Sequence, residues 1–228
     1  MTGYYLSILQ GALLTVALSL ASLLVAIVLG LLGAGAKLSR NRLAMALGQI
    51  YTTVVRGVPE LLLLLLVFYG GTTLLNMLLE RLGYMQGISI NPFMAGVLTI
   101  GFIYGAYMTE NFRGAIKAIP IGQREAALAF GMQRWQVFRR ITLPQMIRYV
   151  VPSFTNSWMA LIKATALVSL INLQDMTYLA TQAGRATREP FLFILLVAGI
   201  YLLFTSLSLW VLRKIHARYS LGSETISL

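Results

Sequence analysis

Three ionisable side chains lie inside otherwise apolar segments, and their types decide which chemistry the chain can perform. They are Glu60, Glu110 and Lys163. Burying such a charge in a membrane helix costs about 2.5–3.5 kcal/mol, so each is expected to face a cavity or a partner group. The chain has no Cys and a single His, His216, which argues against redox chemistry and the usual Cys/His zinc site. These residues therefore favour binding of a charged group over catalysis.

The composition predicts an integral membrane protein. The chain has 228 residues, of which 58% are hydrophobic and 11% charged, with a mean hydropathy of +0.77; a soluble domain has about 25% charged residues. Charge-free runs approach or exceed the roughly 20 residues that cross a bilayer. We predict an all-α fold of five transmembrane helices in a single domain, 1–228. The predicted spans are 8–36, 57–79, 93–117, 146–171 and 191–212.

The basic residues predict the orientation of the five spans. Fourteen of the 18 Lys and Arg residues fall in or beside segments 37–56, 118–145 and the tail after 212, and three fall on the opposite side. Because cytoplasmic loops retain Lys and Arg, the N-terminus is expected outside and the C-terminus inside. The net charge of +11 would suit nucleic acid in a soluble protein. Here topology accounts for it, and no nucleic-acid partner is expected.

A charged amphipathic stretch, 125–144, lies between the third and fourth spans. We predict a helix, a break at Gly131 and a second helix whose length is limited by Pro144. Phe130, Trp135 and Phe138 supply anchors beside several arginines, a surface that suits a groove on another protein. The alternative is an amphipathic helix in the lipid headgroup layer.

The spacing of this stretch resembles the "EAA" loop of permease subunits of bacterial ATP-binding-cassette (ABC) importers. The match runs without a gap over 20 positions. In that family the loop forms coupling helices, here at about 122–142, which sit in a cleft of a cytoplasmic ATPase. The carry-over falls on Glu125, Ala126, Ala127, Gly131, Ile141 and Pro144. Segments 56–70 and 104–120 also resemble polar amino-acid permeases, most closely those for histidine and other basic amino acids.

The resemblance implies a type I ABC importer permease fold in the bacterial inner membrane, with a periplasmic N-terminus. It also implies a homologous permease partner in a heterodimer, two ATPase subunits that bind ATP and Mg, and a periplasmic binding protein that delivers an amino acid. The chain lacks the GxxxxGK[ST] loop, so nucleotide chemistry is assigned to the partner ATPase and no cofactor or metal to this chain.

Candidate contacts for a cationic amino acid are Glu110 and Glu60, with Tyr104, Tyr107 and Thr109 near enough to share a cavity. Alternatively, Glu110 pairs with Arg113 at i,i+3, and Glu60 serves as a dipole partner at a helix start or lies at the cytoplasmic rim. Lys163 would repel such a substrate. It is expected to pair with an acid, to bond backbone carbonyls or to lie at a helix break.

Other interpretations stay open. The same machine can carry a neutral or acidic amino acid such as glutamine or glutamate. A passive channel or ion-coupled carrier would need no ATPase, and an intramembrane enzyme would need a nucleophile and base, or a metal. Finally, the small-residue spacing of Gly30, Gly33 and Gly35 suggests packing against another subunit.

Overall fold

Every element described is helical. The computed structural model describes residues 2–83 and 88–220. The elements are α1 (Thr2–Leu38), α2 (Arg42–Gly57), α3 (Glu60–Leu65), a π-turn (Leu66–Gly70), α4 (Gly71–Arg81), α5 (Pro92–Lys117), α6 (Ile121–Ala129), α7 (Arg134–Val137), a second π-turn (Phe138–Thr142), α8 (Leu143–Ala164), a 3₁₀ helix (Thr165–Ile171), α9 (Met176–Thr187) and α10 (Pro190–Ser220).

The prediction of five spans is confirmed. Within the described residues, five helices are long and apolar enough to cross a membrane: Gly3–Leu38, Glu60–Arg81, Pro92–Lys117, Arg134–Ile171 and Pro190–Ala217. The chain is therefore an all-α membrane bundle.

The fourth span differs from its prediction because Pro144 does not end the preceding helix. α7, the second π-turn and α8 follow one another without interruption from Arg134. A proline lacks the N–H for the bond to the carbonyl four residues earlier and crowds that carbonyl. Here that residue is Arg140, which lies in the π-turn, where the backbone bonds are already displaced by one residue. The irregular turn thus lets the helix pass through Pro144.

α5 is the central helix of the bundle, and glycines let α1 approach it closely. A Cβ on Gly30 would lie 2.5 Å from Met108 Cβ, and one on Gly101 would lie 2.6 Å from Val25 Cβ. Lipid is as apolar as the helix surfaces, so van der Waals contact holds membrane helices together, and the close approach increases that contact. The prediction that the α1 glycines face another subunit is therefore wrong for Gly30.

Gly33 is a second point of contact inside the chain, and Gly35 is not. A Cβ on Gly33 would overlap Thr109 Oγ1, whereas a Cβ on Gly35 would meet nothing within 4 Å. Side-chain hydrogen bonds also join α5 to α8, because the Asn111 amide donates to Ser157 Oγ at 2.8 Å. The bundle is held by close packing on one side of α5 and by polar bonds on the other.

α2 is a helix within the segment that the sequence analysis treated as a loop. Asn41 Oδ1 accepts from the Leu43 N–H at 2.9 Å and caps its first turn. Gly48, Thr52 and Val55 are buried at helical spacing against the bundle. α2 therefore packs on the ends of α1 and α5. We call this end of the bundle, together with the adjoining α6 and α7, the basic end.

Substitution at Gly33 tests the packing of α1 on α5. Gly33→Ala should destabilise the fold by about 1–3 kcal/mol, the usual cost of overpacking a filled interface. The measurement is thermal unfolding of the purified protein in detergent. Gly35→Ala is the matched control and should leave the transition in place. Equal transitions for the two variants would contradict the contact.

Asp175 is a fully buried carboxyl at the start of α9. Its Oδ1 accepts from the Tyr178 N–H at 2.9 Å. Burial raises the pKa of the carboxyl to about 6, from an ordinary value of 3.8, although hydrogen bonds from the first turn of α9 act in the opposite direction. The folded state therefore holds this proton at pH values where the unfolded chain has lost it.

This shift predicts that Asp175 makes folding less favourable as pH rises. Below about pH 4 both states are protonated; between pH 4 and 6 only the unfolded state ionises, so the relative stability of the fold falls; above pH 6 the loss is complete. Asp175→Asn keeps an N-cap and removes the charge. Thermal unfolding at pH 5 and pH 7.5 should show a smaller loss on raising pH for the variant than for the native chain. An identical loss in both would contradict the shift.

Candidate functional site

Gly131 closes α6, as predicted. Its φ is +81°, a conformation that glycine adopts without strain. The Gly131 N–H donates to Leu128 O at 3.0 Å, and the Met132 N–H donates to Ala127 O at 3.1 Å. This pair of bonds is the Schellman arrangement, which satisfies the last carbonyls of a helix and turns the chain sharply. α7 begins three residues later.

The segment α6–α7 and the second π-turn, residues 121–142, form a protruding surface that we call the coupling surface. Phe130 is 90% exposed and Trp135 is 64% exposed. The Trp135 ring stacks on that of Phe138, with centroids 5.6 Å apart. Aromatic anchors beside arginines are typical of side chains that fill pockets on a protein partner. The coupling surface therefore has the chemistry of a docking element.

Five of the six motif residues line two cavities next to α6. A cavity of about 660 Å³ lies between α6 and the ends of α1 and α5, and Glu125 lines it. A second, of about 560 Å³, is lined by Ala126, Ala127, Ile141 and Pro144. Gly131 lies outside both and acts through the turn. The motif spacing thus builds one compact element rather than a set of separate contacts.

Glu110 lies in an ion-pair network. Lys37 Nζ donates to Glu110 Oε1 and, at 2.8 Å, to Thr52 Oγ1. Arg113 Nε donates to Glu110 Oε2 at 3.3 Å. The Arg113 pair is the alternative that the sequence offered, and the contact with Lys37 adds a second cation. The carboxylate thus joins the end of α1 to α5, with α2 attached through Thr52.

The cavity beside Glu110 is basic. Its volume is about 420 Å³, and its charged lining residues are Lys37, Arg56, Arg113 and Glu110. Arg56 also lies over the Tyr107 ring, 5.2 Å from the centroid. Three cations around one carboxylate would repel a cationic ligand by Coulomb's law. This cavity is a poor site for the head group of a basic amino acid.

Glu60 occupies a different environment. It is the first residue of α3, and the Tyr104 hydroxyl donates to Glu60 Oε1 at 3.1 Å. Tyr104 lies near the midpoint of α5, and Glu60 is the first residue of its own span, Glu60–Arg81. Its side chain is partly exposed on the surface of the chain. Glu60 is therefore a partly exposed carboxylate at the start of a span, with a tyrosine hydroxyl as its partner.

The remaining candidates divide into two groups. The Tyr104 and Tyr107 rings are 5.6 Å apart, which brings Tyr107 near Glu60 as well as near the basic cavity. Thr109 is fully buried, donates to Gly105 O at 2.8 Å and packs against Gly33. The structure brings Glu60, Tyr104 and Tyr107 together and leaves Thr109 in the α1–α5 interface.

Lys163 lies in the last turn of α8, immediately before the helix tightens to 3₁₀ at Thr165. The helix therefore changes type next to Lys163 but continues to Ile171, so the predicted position at a helix break is met only as a change of helix type. The side chain is exposed, and within 2–83 and 88–220 it has neither a carboxylate nor a backbone carbonyl as partner.

The sequence analysis missed the groups that organise the basic end. Lys37 and Thr52 complete the Glu110 network, and the Tyr51 hydroxyl donates to Phe102 O at 2.6 Å. Burial raises the pKa of Tyr51 above its ordinary value, so it stays a neutral donor. The buried spacing of α2 was the available signal, but nothing local indicated which helix it contacts.

Comparison with known proteins gives a consistent family. The family model described as "Binding-protein-dependent transport system inner membrane component" matches residues 22–220. The histidine/lysine/arginine/ornithine transport system permease protein HisQ of Escherichia coli K12 is 50% identical over 221 residues, covering 97% of this chain and 96% of that protein. The arginine ABC transporter permease protein ArtQ of the same strain is 34% identical over 217 residues, covering 90% and 91%.

A solved structure agrees with these relatives. A chain from the crystal structure of an amino acid ABC transporter with histidines superposes with a TM-score of 0.79 at 28% identity, covering 96% of each chain.

The turn at Gly131 can be tested without reference to function. Gly131→Ala should cost about 1–2 kcal/mol, because a side chain disfavours the left-handed region. The last turn of α6 should then exchange its amide hydrogens faster, as measured by hydrogen–deuterium exchange. Gly122→Ala is the matched control, since Gly122 has no positive φ and a Cβ there would meet nothing within 4 Å. Equal exchange in both variants would show that the turn does not depend on glycine.

Proposed function

Because the chain belongs to the family of binding-protein-dependent transport system inner membrane components, we propose that it is the permease subunit of an ATP-driven importer for basic amino acids. The observation that carries the proposal is the 50% identity, over 97% of the chain, to a permease whose name gives histidine, lysine, arginine and ornithine. Such a subunit provides a path and performs no chemical conversion. ATP and Mg belong to the partner ATPases.

Glu60 is the proposed contact for the cationic head of the substrate. Its carboxylate is partly exposed and has a hydroxyl rather than a cation as its neighbour. Glu110, by contrast, is already neutralised by Lys37 and Arg113. A carboxylate that has no cation beside it attracts a guanidinium, ammonium or imidazolium group far more strongly than a carboxylate that is already paired with cations. We assign Glu110 a structural role.

The coupling surface is the proposed contact with a cytoplasmic ATPase, of which the complex would contain two subunits. Its exposed aromatic rings and arginines supply the anchors, and its position at the basic end accords with the cytoplasmic side expected from the Lys and Arg distribution. The continuous helix from Arg134 to Ile171 supports a mechanical role. Movement of α7 by a closing ATPase would be carried along α8 to the depth of the path.

Five spans in one chain leave much apolar surface uncovered, which supports a second permease subunit. The spans Glu60–Arg81 and Pro190–Ala217 are largely unburied within the chain. Part of this surface faces lipid, and part would face a homologous permease in a heterodimer. A periplasmic binding protein would deliver the amino acid to the opposite end. Alternating access then requires that affinity for the substrate differ between the two open states.

The competing substrate class is a neutral or acidic amino acid. Reconstitution of the full complex in proteoliposomes, with the binding protein outside and ATP inside, separates the classes. Unlabelled arginine, histidine, lysine and ornithine should compete with labelled arginine, and glutamine or glutamate should not. Uptake without ATP would instead indicate a passive channel or an ion-coupled carrier.

Glu60→Gln should lower the apparent affinity for arginine about ten- to hundredfold, because a hydrogen bond to a charged group contributes about 1.5–3 kcal/mol. The measurement is initial uptake rate against arginine concentration in the same proteoliposomes. Glu80→Gln is the matched control, an exposed carboxylate at the far end of the same span, and should leave uptake unchanged.

Glu110→Gln completes the comparison. It leaves Lys37 without a charged partner, so the complex should unfold at a lower temperature while the assembled fraction keeps its substrate preference. If Glu110→Gln changed the preference and Glu60→Gln did not, the two assignments would have to be exchanged.

A further inference from the structure

The cavity of about 660 Å³ between α6 and the ends of α1 and α5 carries unpaired charges at the basic end. Three arginines line it, Arg40, Arg124 and Arg134, together with one carboxylate, Glu125. Within residues 2–83 and 88–220 none of these four side chains takes part in an ion pair. Three positive charges against one negative charge make the cavity attractive to an anion.

The rest of the lining is mainly apolar. It includes Leu38, Ile116, Ile121, Leu128 and Phe138. The Ile121 side chain is 69% exposed and the Leu128 side chain is 47% exposed, so neither is covered by the chain itself. A ligand that satisfies both parts of this lining has an anionic group joined to an apolar body.

The cavity lies at the level where two spans end. One span ends at Leu38 and another at Lys117, and the cavity is lined by Leu38 and by Ile116, the neighbour of Lys117. The ends of membrane-spanning helices lie close to the headgroup region of the bilayer. Basic pockets between helices at this level suit the phosphate of a lipid headgroup.

The apolar surface continues from the cavity along α1. Leu24, Val28, Leu31 and Leu38 are exposed, and their spacing of four, three and seven residues places them on one side of the helix. Leu38, the last of them, lines the cavity. An acyl chain attached to a headgroup in the cavity can therefore lie along α1 toward the centre of the bilayer.

The cavity is on a different side of α6 from the principal aromatic anchor of the coupling surface. Four residues of α6 line it at helical spacing: Ile121, Arg124, Glu125 and Leu128. Phe130 lies with the other set, which lines the cavity of about 560 Å³: Gln123, Ala126, Ala127 and Phe130. An ATPase that docks on Phe130 thus leaves the side of α6 that faces the span ends for another ligand.

We infer that this cavity binds the headgroup of an anionic phospholipid, phosphatidylglycerol, with its phosphate on the three arginines. Guanidinium groups bind phosphate oxygens in a bidentate manner. The glycerol hydroxyls of this headgroup can donate to Glu125, whereas a bare phosphate would meet that carboxylate as a like charge. The bound lipid fills the gap between α6 and the span ends and so supports the coupling surface from the membrane side. The site is independent of which substrate the transporter carries.

The test titrates single lipids onto the purified transporter complex and measures each equilibrium constant by native mass spectrometry. Phosphatidylglycerol should bind about ten- to hundredfold more tightly than phosphatidylcholine with the same acyl chains, because each arginine near an anionic headgroup contributes about fivefold. Arg40→Gln should lower phosphatidylglycerol affinity about fivefold and leave phosphatidylcholine affinity unchanged, and Arg40→Lys should largely restore it. Arg40 lies outside the coupling surface, so its loss does not alter the proposed ATPase contact.

Arg42→Gln is the matched control, because Arg42 is an exposed arginine two residues away that does not line the cavity. It should leave both affinities unchanged. Arg124→Gln is a second, independent variant and should act like Arg40→Gln. The deacylated headgroup, glycerophosphoglycerol, should bind at least tenfold more weakly than the lipid, because it cannot use the apolar lining.

Four outcomes would overturn the inference. Equal losses in Arg40→Gln and Arg42→Gln would reduce the effect to general surface charge. Headgroup affinity equal to that of the lipid would make the cavity a site for a free phosphate compound. Equal binding of phosphatidylethanolamine would assign it to zwitterionic lipid. Binding that appears only after the ATPase subunits are removed would show that an ATPase segment occupies the cavity in the assembled transporter.

Discussion

The cost of placing a charge in hydrocarbon governs the arrangement of this bundle. Each ionisable group in a span must meet an opposite charge, a hydrogen-bond partner or water. Glu110 meets Lys37 and Arg113, and the result is a joint between helices. Glu60 meets a tyrosine hydroxyl and remains open to the surface of the chain. The same physical requirement is thus met by two cations at one carboxylate and by a hydroxyl at the other.

Close packing around α5 makes that separation possible. The glycines on α1 and α5 that face the other helix have no room for a Cβ, so the two backbones approach closely. The two helices therefore pack as one rigid unit. α2 closes this unit at the basic end through Thr52 and Tyr51. The less buried elements, α3, α4 and α10, lie outside this tightly packed unit.

The coupling surface and the spans are connected through a single helix. The π-turn before Pro144 removes the conflict that a proline would create in a regular helix, and α7 therefore continues into α8. This continuity places Trp135, Phe138 and Lys163 on one continuous helix. A displacement at the basic end can then change the surroundings of Lys163 and of the 3₁₀ helix beside it.

The sequence by itself determined the five spans, the concentration of basic residues at one side and the turn at Gly131. These features depend on local composition, on segment length and on the freedom of one glycine. The tertiary structure alone decided what Glu110 pairs with, because Lys37 is 73 residues away in the chain. It likewise decided that Gly33 packs on α5, that α2 is part of the bundle and that the helix continues through Pro144. Each of these depends on which helix faces which, or on a cooperative change in backbone bonding, and a pattern read along one segment does not contain that information.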